Sequence, residues 1–324
     1  MRVPFGALTF GVCNVNLVID GNFDGEKVLT VLRRLGFSGT MIKRMKTREN
    51  GITVNGTHVT VRHTLCVGDV LFCDDSDAFD DENPHIVPRE LPLDIIYEDD
   101  AVIAVNKPAE MPTHPSHGHR DDTLANALAF EYKRRGVPFV FRAVNRLDAD
   151  TSGVVLLAKS MSAAYTLSRS IADGNMTKKY LAILDGEIRS DVGESVRVEN
   201  KIARTADSII KREVTDGTYG DLAVTEYVCL YKGNGISVVS ASPVTGRTHQ
   251  LRVCFASLGN PITGDDFYGG SLSLMPRQAL HAYSLAFVTP DKNAEITVKA
   301  PLAPDMKAVL EKYAKEADVD AICD

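Results

Sequence analysis

The spacing of apolar residues predicts two short helices near the start of the chain. From Glu26 to Leu35, apolar residues occupy positions 28, 29, 32 and 35, which is helical spacing, and Gly36 follows as a stop signal. Ser38 can cap a second helix that runs to about Thr47. Both helices precede a segment with the alternating pattern of strands.

That segment, ITVNGTHVTV (52–61), alternates apolar and polar residues on both sides of Asn55-Gly56. This dipeptide is a strong signal for a two-residue hairpin. Gly68-Asp69 is a turn signal before a last short strand, Val70 to Phe72. We therefore expect residues 1–75 to form a small module and residues 76–92, rich in acids and proline, to form a linker.

Residues 93–324 show many strand patterns with helices between them in irregular order. One helix is predicted from Asp122 as its cap to Gly136, with Leu124, Leu128 and Tyr132 on one face. The other predicted strands are 95–97, 101–105, 154–158, 180–184, 224–231, 236–241, 283–288 and 295–299, and the other helices are 161–173, 249–258 and 304–316. This order favours an α+β fold with a mostly antiparallel sheet.

Composition and charge narrow the function classes. The six cysteines are scattered without a C-x-x-C pair, and no apolar run is long enough to span a membrane, so we expect a cytoplasmic protein. The net charge of −7 disfavours a nucleic-acid partner, but residues 21–65 hold eight Lys and Arg against three acids. The run DDSDAFDDE (74–82) has six acids and is typical of a solvated linker.

Candidate chemistry lies in VNRLDADTSGVVLLAKS (144–160), where an Arg and two acids precede an apolar strand. A calcium loop would need an acidic twelfth residue, but Lys159 stands there. A plain turn and a catalytic carboxylate both stay open on this stretch alone. We found no phosphate-binding loop or nucleotide-binding glycine pattern, and we predict no metal and no cofactor.

Four collinear segments resemble the RluA family of pseudouridine synthases. They are NRLDADTSGVVLLAK (145–159), NKPAEMPTHPSHG (106–118), KKYLAILDG (178–186) and TGRTHQLRVCFASLGNPITGD (245–265), the last continued by DDFYGG. The resemblance covers roughly residues 90–300. The basic segment before it is similar to the alpha-L RNA-binding module, which places Lys43, Arg44 and Lys46 on an RNA-binding helix.

The resemblance implies a pseudouridine-synthase fold and an isomerase that turns uridines in structured RNA, ribosomal or transfer, into pseudouridine. It assigns Asp148 as the catalytic carboxylate, which would attack the sugar, attack the base or abstract a sugar proton. Tyr180 would pack against the uracil, and we predict that Arg252, on a helix capped by Thr248, pairs with Asp148. A carboxylate suits chemistry at a sugar C1′ and needs a nearby cation to stay ionised.

Four further residues are candidates for RNA contact. The target base must leave its stack, and Arg146 is our candidate to fill the gap, because a guanidinium both stacks and hydrogen-bonds. We expect Arg247, His249 and Gln250 to contact phosphates or bases. The chain departs from the family pattern at Asn145, Cys254 and Asn260, none of which carries the proposed chemistry.

Two alternative functions fit the sequence less well than pseudouridine formation. A non-catalytic RNA-binding or ribosome-assembly factor on the same scaffold would have no need for a charged pair in a pocket. A glycoside hydrolase would need a second acid, which no motif nominates. The first reading is therefore a monomeric pseudouridine synthase whose partner is RNA, with no nucleotide cofactor and no membrane.

Overall fold

The computed structural model describes residues 8–11, 14–35, 37, 39–74, 83, 85–208, 210–290 and 292–315. Gly36, Ser38 and most of the acidic run lie outside these residues, so their predicted roles are not addressed by the structure. Within the described residues, no helix combines the length and apolar character that a membrane crossing requires.

The first sheet contains five antiparallel strands in the order β1-β2-β5-β3-β4. The strands are β1 (Leu8–Gly11), β2 (Asn14–Val18), β3 (Ile52–Val54), β4 (Thr57–His58) and β5 (Val70–Asp74), and the helices between them are α1 (Val28–Arg34) and α2 (Gly39–Lys46). Asn55 and Gly56 both have positive φ, at 50° and 76°, as the predicted hairpin turn requires. Both predicted helices and the hairpin are present.

A second, ten-stranded sheet forms the rest of the fold, in the order β11-β10-β12-β13-β9-β14-β8-β7-β6, with β15 beside β14. Its strands are β6 (Ile95–Glu98), β7 (Val102–Lys107), β8 (Ser152–Ala158), β9 (Thr177–Asp185), β10 (Ser195–Arg204), β11 (Arg212–Val214), β12 (Asp221–Gly233), β13 (Ile236–Pro243), β14 (Leu280–Val288) and β15 (Glu295–Lys299). The helices are α3 (Leu124–Arg135), α4 (Met161–Ala172), α5 (Gln250–Ser257) and α6 (Pro304–Tyr313). The predicted α+β class with a mostly antiparallel sheet is confirmed.

Two local predictions were wrong. Thr123, not Asp122, caps α3. Its hydroxyl accepts a hydrogen bond from the Asn126 backbone N–H, and the Asn126 side-chain oxygen accepts one from the Thr123 backbone N–H. Strands β10 and β11 were missed because their residues alternate between exposed and half-buried positions, which leaves little apolar pattern to detect. Gly136 does end α3 with a left-handed backbone at φ 68°, as predicted.

β8 and β14 form the parallel pair of this sheet, and their contact is very close. The register pairs Ser152 with His281 and Gly153 with Ala282. Gly153 has φ +113°, and a Cβ at this position would lie 2.2 Å from the Ala282 carbonyl oxygen. The strand that follows the candidate catalytic turn is therefore held against β14 by a contact that only glycine permits.

Candidate active site

Asp148 lies in the turn that leads into β8, and it lines a cleft of about 830 Å³. The Thr151 backbone N–H closes the turn on the Asp148 carbonyl at 3.1 Å. Buried Thr113 anchors the preceding residue, because its hydroxyl donates to the Leu147 carbonyl at 3.0 Å and accepts from the Leu147 N–H at 3.3 Å. Backbone hydrogen bonds thus fix the turn that carries the carboxylate.

Asn145, which replaces a histidine of the family pattern, also holds this turn. Its side-chain amide donates to the Val154 carbonyl at 3.0 Å and accepts from the Leu156 N–H at 2.8 Å. Both partners belong to β8. The amide therefore joins the catalytic turn to the strand that follows it.

Arg252 reaches Asp148 from α5, on the other side of the cleft. The helix begins after His249, whose backbone is left-handed at φ 55°, and not after Thr248 as predicted. This conformation gives no side-chain cap. Instead, His249 Nδ1 lies 2.8 Å from the Tyr268 hydroxyl and its Nε2 lies 3.8 Å from Asp148 Oδ2.

The guanidinium of Arg252 binds two carboxylates at once. Its Nη1 donates to Asp148 Oδ2 at 3.2 Å, so the predicted pair exists in the structure. Its Nε and Nη2 donate to Asp265 at 2.7 and 2.8 Å, a bidentate pair that the sequence analysis missed. The side chain of Asp265 is 1% exposed and that of Asp148 is 32% exposed. Asp265 therefore anchors the arginine, while Asp148 is open to the cleft.

The charge state of Arg252 follows from these contacts. Burial opposes its charge, but the hydrogen bonds and charge of Asp265, together with the charge of Asp148, raise the pKa of Arg252 above its ordinary value. The Tyr268 ring packs against the guanidinium with its centroid 5.0 Å from Cζ. Arg252 is thus a fixed cation beside the Asp148 carboxylate.

Tyr180 lines the same cleft from β9 and is buried. Burial raises the pKa of its hydroxyl, and the negative charge of Asp148 raises it further. The phenol is therefore neutral at physiological pH, so it can offer a ring face and a neutral hydroxyl but is a poor base.

The residues predicted to contact RNA are placed differently from one another. Arg146 and Arg247 are exposed and His249 is half-buried, and all three line the cleft. Gln250 is buried and donates to the Val224 carbonyl and the Thr225 hydroxyl, while its amide oxygen accepts from two neighbours in the preceding loop. Gln250 also lines the cleft, and its hydrogen bonds fix the loop before α5, so its contact with RNA stays a prediction.

The three cations predicted on the first module lie on α2. Lys43 and Lys46 are exposed, as an RNA-binding surface requires. Arg44 is half-buried and its Nη1 lies 3.5 Å from Met161 Sδ at the start of α4. Arg44 therefore contacts the catalytic part of the chain and is less available to a ligand than the two lysines.

Two buried basic side chains, Lys107 and Arg277, hold the backbone behind Asp148. No role was predicted for either of them from the sequence. Lys107 Nζ donates to the Ala149 carbonyl at 2.9 Å and also to the carbonyls of Pro108 and Met111. Arg277 donates to the Asp150 carbonyl at 2.9 Å and pairs with Asp305 of α6. Burial lowers the pKa of Lys107 to about 7, and the charges of Asp150 and Asp148 offset part of this effect.

His281 supports the same turn from β14. Its Nε2 lies 3.3 Å from the Ala300 carbonyl, which can only accept, so Nε2 carries the proton and Nδ1 accepts from the Ser152 hydroxyl at 2.8 Å. The ring is 0% exposed, and burial lowers the pKa of His281 to about 4. His281 is therefore buried in its neutral form.

We expect His281 to make stability depend on pH. Between about pH 6.5 and 4 the unfolded chain binds a proton at this histidine and the folded chain does not, so stability falls as the pH falls through this window. The shift corresponds to a loss of up to about 3 kcal/mol. The free energy of unfolding, measured with urea at pH 6.5 and at pH 4.5, should differ less between the two pH values for His281→Gln than for the unmodified protein. Exposed His58→Gln is the control, and an equal change in both variants would contradict this assignment.

No group of three or more His, Cys, Asp or Glu side chains within the described residues is placed to hold a metal ion. The cleft brings together one partly exposed carboxylate, a fixed guanidinium and a neutral phenol. A carboxylate paired with a fixed cation beside a cleft suits chemistry at a glycosidic carbon.

Comparison with known proteins identifies the family of this chain. The sequence model described as RNA pseudouridylate synthase matches residues 101–257. An uncharacterized RNA pseudouridine synthase of Bacillus subtilis, YjbO, is 35% identical over 85% of this chain and 95% of its own. Ribosomal large subunit pseudouridine synthase D of Xylella fastidiosa is 33% identical over 81% of both chains.

A solved structure is also similar. Human RNA pseudouridylate synthase domain containing 1 superposes with a TM-score of 0.54 at 30% identity, over 67% of this chain and 87% of its own. The two bacterial relatives match 81–85% of the chain, and the family model covers both Asp148 and Arg252. The chain therefore belongs to the RluA family of RNA pseudouridine synthases.

Proposed function

We propose that this chain isomerises specific uridines in structured RNA to pseudouridine, with Asp148 as the reacting carboxylate. The observation that carries the proposal is the pairing of Asp148, open to the cleft, with Arg252, which is held from behind by Asp265. We also propose that the protein acts as a monomer and without a nucleotide cofactor. The proposed division of the chain is a small module at 1–75, a linker at 76–92 and a catalytic domain at 93–324.

The reaction conserves all atoms, which suits a site built from side chains alone. The bond from uracil N1 to ribose C1′ breaks, the uracil turns over, a bond forms from C5 to C1′, and the proton on C5 moves to solvent while N1 gains one. Asp148 supplies the anionic oxygen near C1′, whether it attacks the sugar, attacks the base or abstracts a sugar proton. Arg252 donates a hydrogen bond to this carboxylate and orients it.

Tyr180 provides the surface against which the detached uracil packs while it turns over. Its buried ring gives a flat face for the detached base, and its neutral hydroxyl can relay the C5 proton but not remove it as a phenolate. Arg146 lies on the exposed rim two residues before Asp148. We propose that its guanidinium fills the stack after the target uridine has been extruded.

The preferred target class is ribosomal RNA. Several relatives are named as ribosomal large subunit pseudouridine synthases, and they match 69–92% of this chain at 30–34% identity. Transfer RNA is the second candidate, since a cleft that admits one flipped nucleotide does not by itself select the surrounding RNA.

Lys43 and Lys46 are proposed to bind RNA phosphates from the exposed face of α2. The double variant Lys43→Ala/Lys46→Ala should weaken RNA binding and reduce the salt slope of the affinity by about 1.5, the value for two lost phosphate contacts. The measurement is the affinity for total RNA at several salt concentrations. Lys307→Ala/Lys312→Ala removes equal charge from exposed positions on α6, and an equal effect of both pairs would contradict a role for α2.

Mapping of pseudouridine in cellular RNA tests the function directly. RNA from cells with and without this protein should differ at one or a few uridines, and the purified protein should restore pseudouridine at these positions. Identical maps and no conversion in vitro would refute the proposal. RNA binding that persists without conversion would favour the alternative, a non-catalytic RNA-binding or ribosome-assembly factor.

A further inference from the structure

Lys178 lines the active-site cleft from β9, two residues before Tyr180. Residues two apart on a strand face the same side and are separated by about 7 Å. Tyr180 is buried, Lys178 is half-buried, and Lys179 between them is exposed. Lys178 therefore stands on the wall of the cleft, nearer to the solvent than Tyr180.

The ammonium group of Lys178 has no partner among the described residues. Six lysines in the described part of the chain are buried or half-buried, and each of the other five has a partner for its ammonium group. These partners are backbone carbonyls for Lys107 and Lys201, a carbonyl and a carboxylate for both Lys159 and Lys232, and the Phe267 ring for Lys211. Lys178 instead lines the cleft without such a partner among the residues that the structure describes.

The space in front of this ammonium group is bounded by the loop before α5. A Cβ on Gly246 would lie 3.9 Å from Lys178 Nζ, so even the smallest side chain would touch it. Arg247, the next residue, is exposed on the same rim. Burial lowers the pKa of Lys178 below its ordinary value, and no carboxylate offsets this effect. A desolvated cation without an anion is unfavourable in the free protein and becomes favourable when an anionic ligand arrives.

We propose that Lys178 binds a backbone phosphate of the flipped nucleotide. The inference rests on the proposed function, because it takes the ligand of the cleft to be RNA. A ribose whose C1′ meets Asp148 and whose base lies on Tyr180 directs its phosphates outward, towards the depth at which Lys178 stands. Uracil carries no charge in the substrate, whereas each phosphate always does, so the phosphate is the better match for an ammonium group.

Adjacent lysines on one strand provide a matched test. Lys178→Met and Lys179→Met remove the same charge from neighbouring positions that face the cleft and the solvent, respectively. The rate of pseudouridine formation is measured on total RNA from cells that lack the protein, at several salt concentrations. Lys178→Met should lower kcat/KM by about tenfold or more and reduce its salt slope by about 0.7–0.9, the value for one phosphate. Lys178→Arg should keep most of the slope.

The control Lys179→Met should leave both quantities within about twofold, since phosphate contacts act at short range. The melting temperature of Lys178→Met should not fall, because methionine fills the same space without a desolvated charge. Equal effects of Lys178→Met and Lys179→Met would overturn the proposal. A slower rate of Lys178→Met with an unaltered salt slope would also overturn it, and would place Nζ on the uracil. Absence of pseudouridine formation by the unmodified protein would instead refute the proposed function.

Discussion

Asp148→Asn should reduce pseudouridine formation by at least about 10⁴-fold, the scale seen when the reacting group of an enzyme is removed. The amide has nearly the same shape, so the turn and the hydrogen bonds to Leu147 and Thr151 should persist. Asparagine carries no negative charge and is a poor nucleophile and base. The loss should appear in single-turnover rates, measured with saturating protein on the RNA identified by mapping.

RNA affinity should change by less than about tenfold in this variant, because phosphate contacts supply most of the binding energy. Asp150→Asn is the matched control. Asp150 lies in the same loop, and Arg277 binds its backbone carbonyl, which the substitution keeps. We expect this control to lose no more than about tenfold in rate. Equal losses in both variants would show that the loop, and not the Asp148 carboxylate, is what the substitutions disturb.

Arg252→Met should damage both folding and turnover. The substitution leaves the Asp265 carboxylate, 1% exposed, without its bidentate partner. Removal of one member of a buried pair costs about 3–5 kcal/mol. It also removes the cation that orients Asp148, so conversion should fall to background. Urea unfolding and the single-turnover rate measure the two effects on the same preparation.

A second substitution separates the two effects. Arg252→Met/Asp265→Asn removes the stranded charge, so the double variant should regain much of the lost stability. It should stay inactive, because Asp148 still lacks its cation. Recovery of activity together with stability would show that Arg252 serves only the fold. Full stability and full rate in Arg252→Met alone would contradict the pairing altogether.

Asp148 and Arg252 were predicted as a pair because their segments resemble two motifs of the RluA family and because a reacting carboxylate needs a nearby cation. Asp265 was not, although the segment GDDFYGG contains it. An aspartate that follows a glycine in a loop looks like a turn residue. Its role depends on a fold that places the loop behind α5, within hydrogen-bonding distance of the Arg252 guanidinium, and no local pattern encodes that placement.

Gln250 and His249 are neighbours that the sequence could not distinguish. Both stand in a polar motif, and polarity alone suggested contact with RNA for each. The structure buries the Gln250 amide against β12 and turns the His249 ring towards the cleft. These neighbours differ because the backbone at His249 is left-handed, which redirects the chain at the start of α5. Sequence periodicity does not report a single residue in this conformation.

The contact between Gly153 and the Ala282 carbonyl oxygen has a consequence for how this protein can diversify. Arg146 and Arg247 extend from the rim of the cleft as exposed side chains, whereas residue 153 accepts no side chain. Laboratory selection for a new RNA target should therefore collect changes along the rim and none at residue 153. The choice of RNA can then change while the strand that follows Asp148 keeps its place against β14.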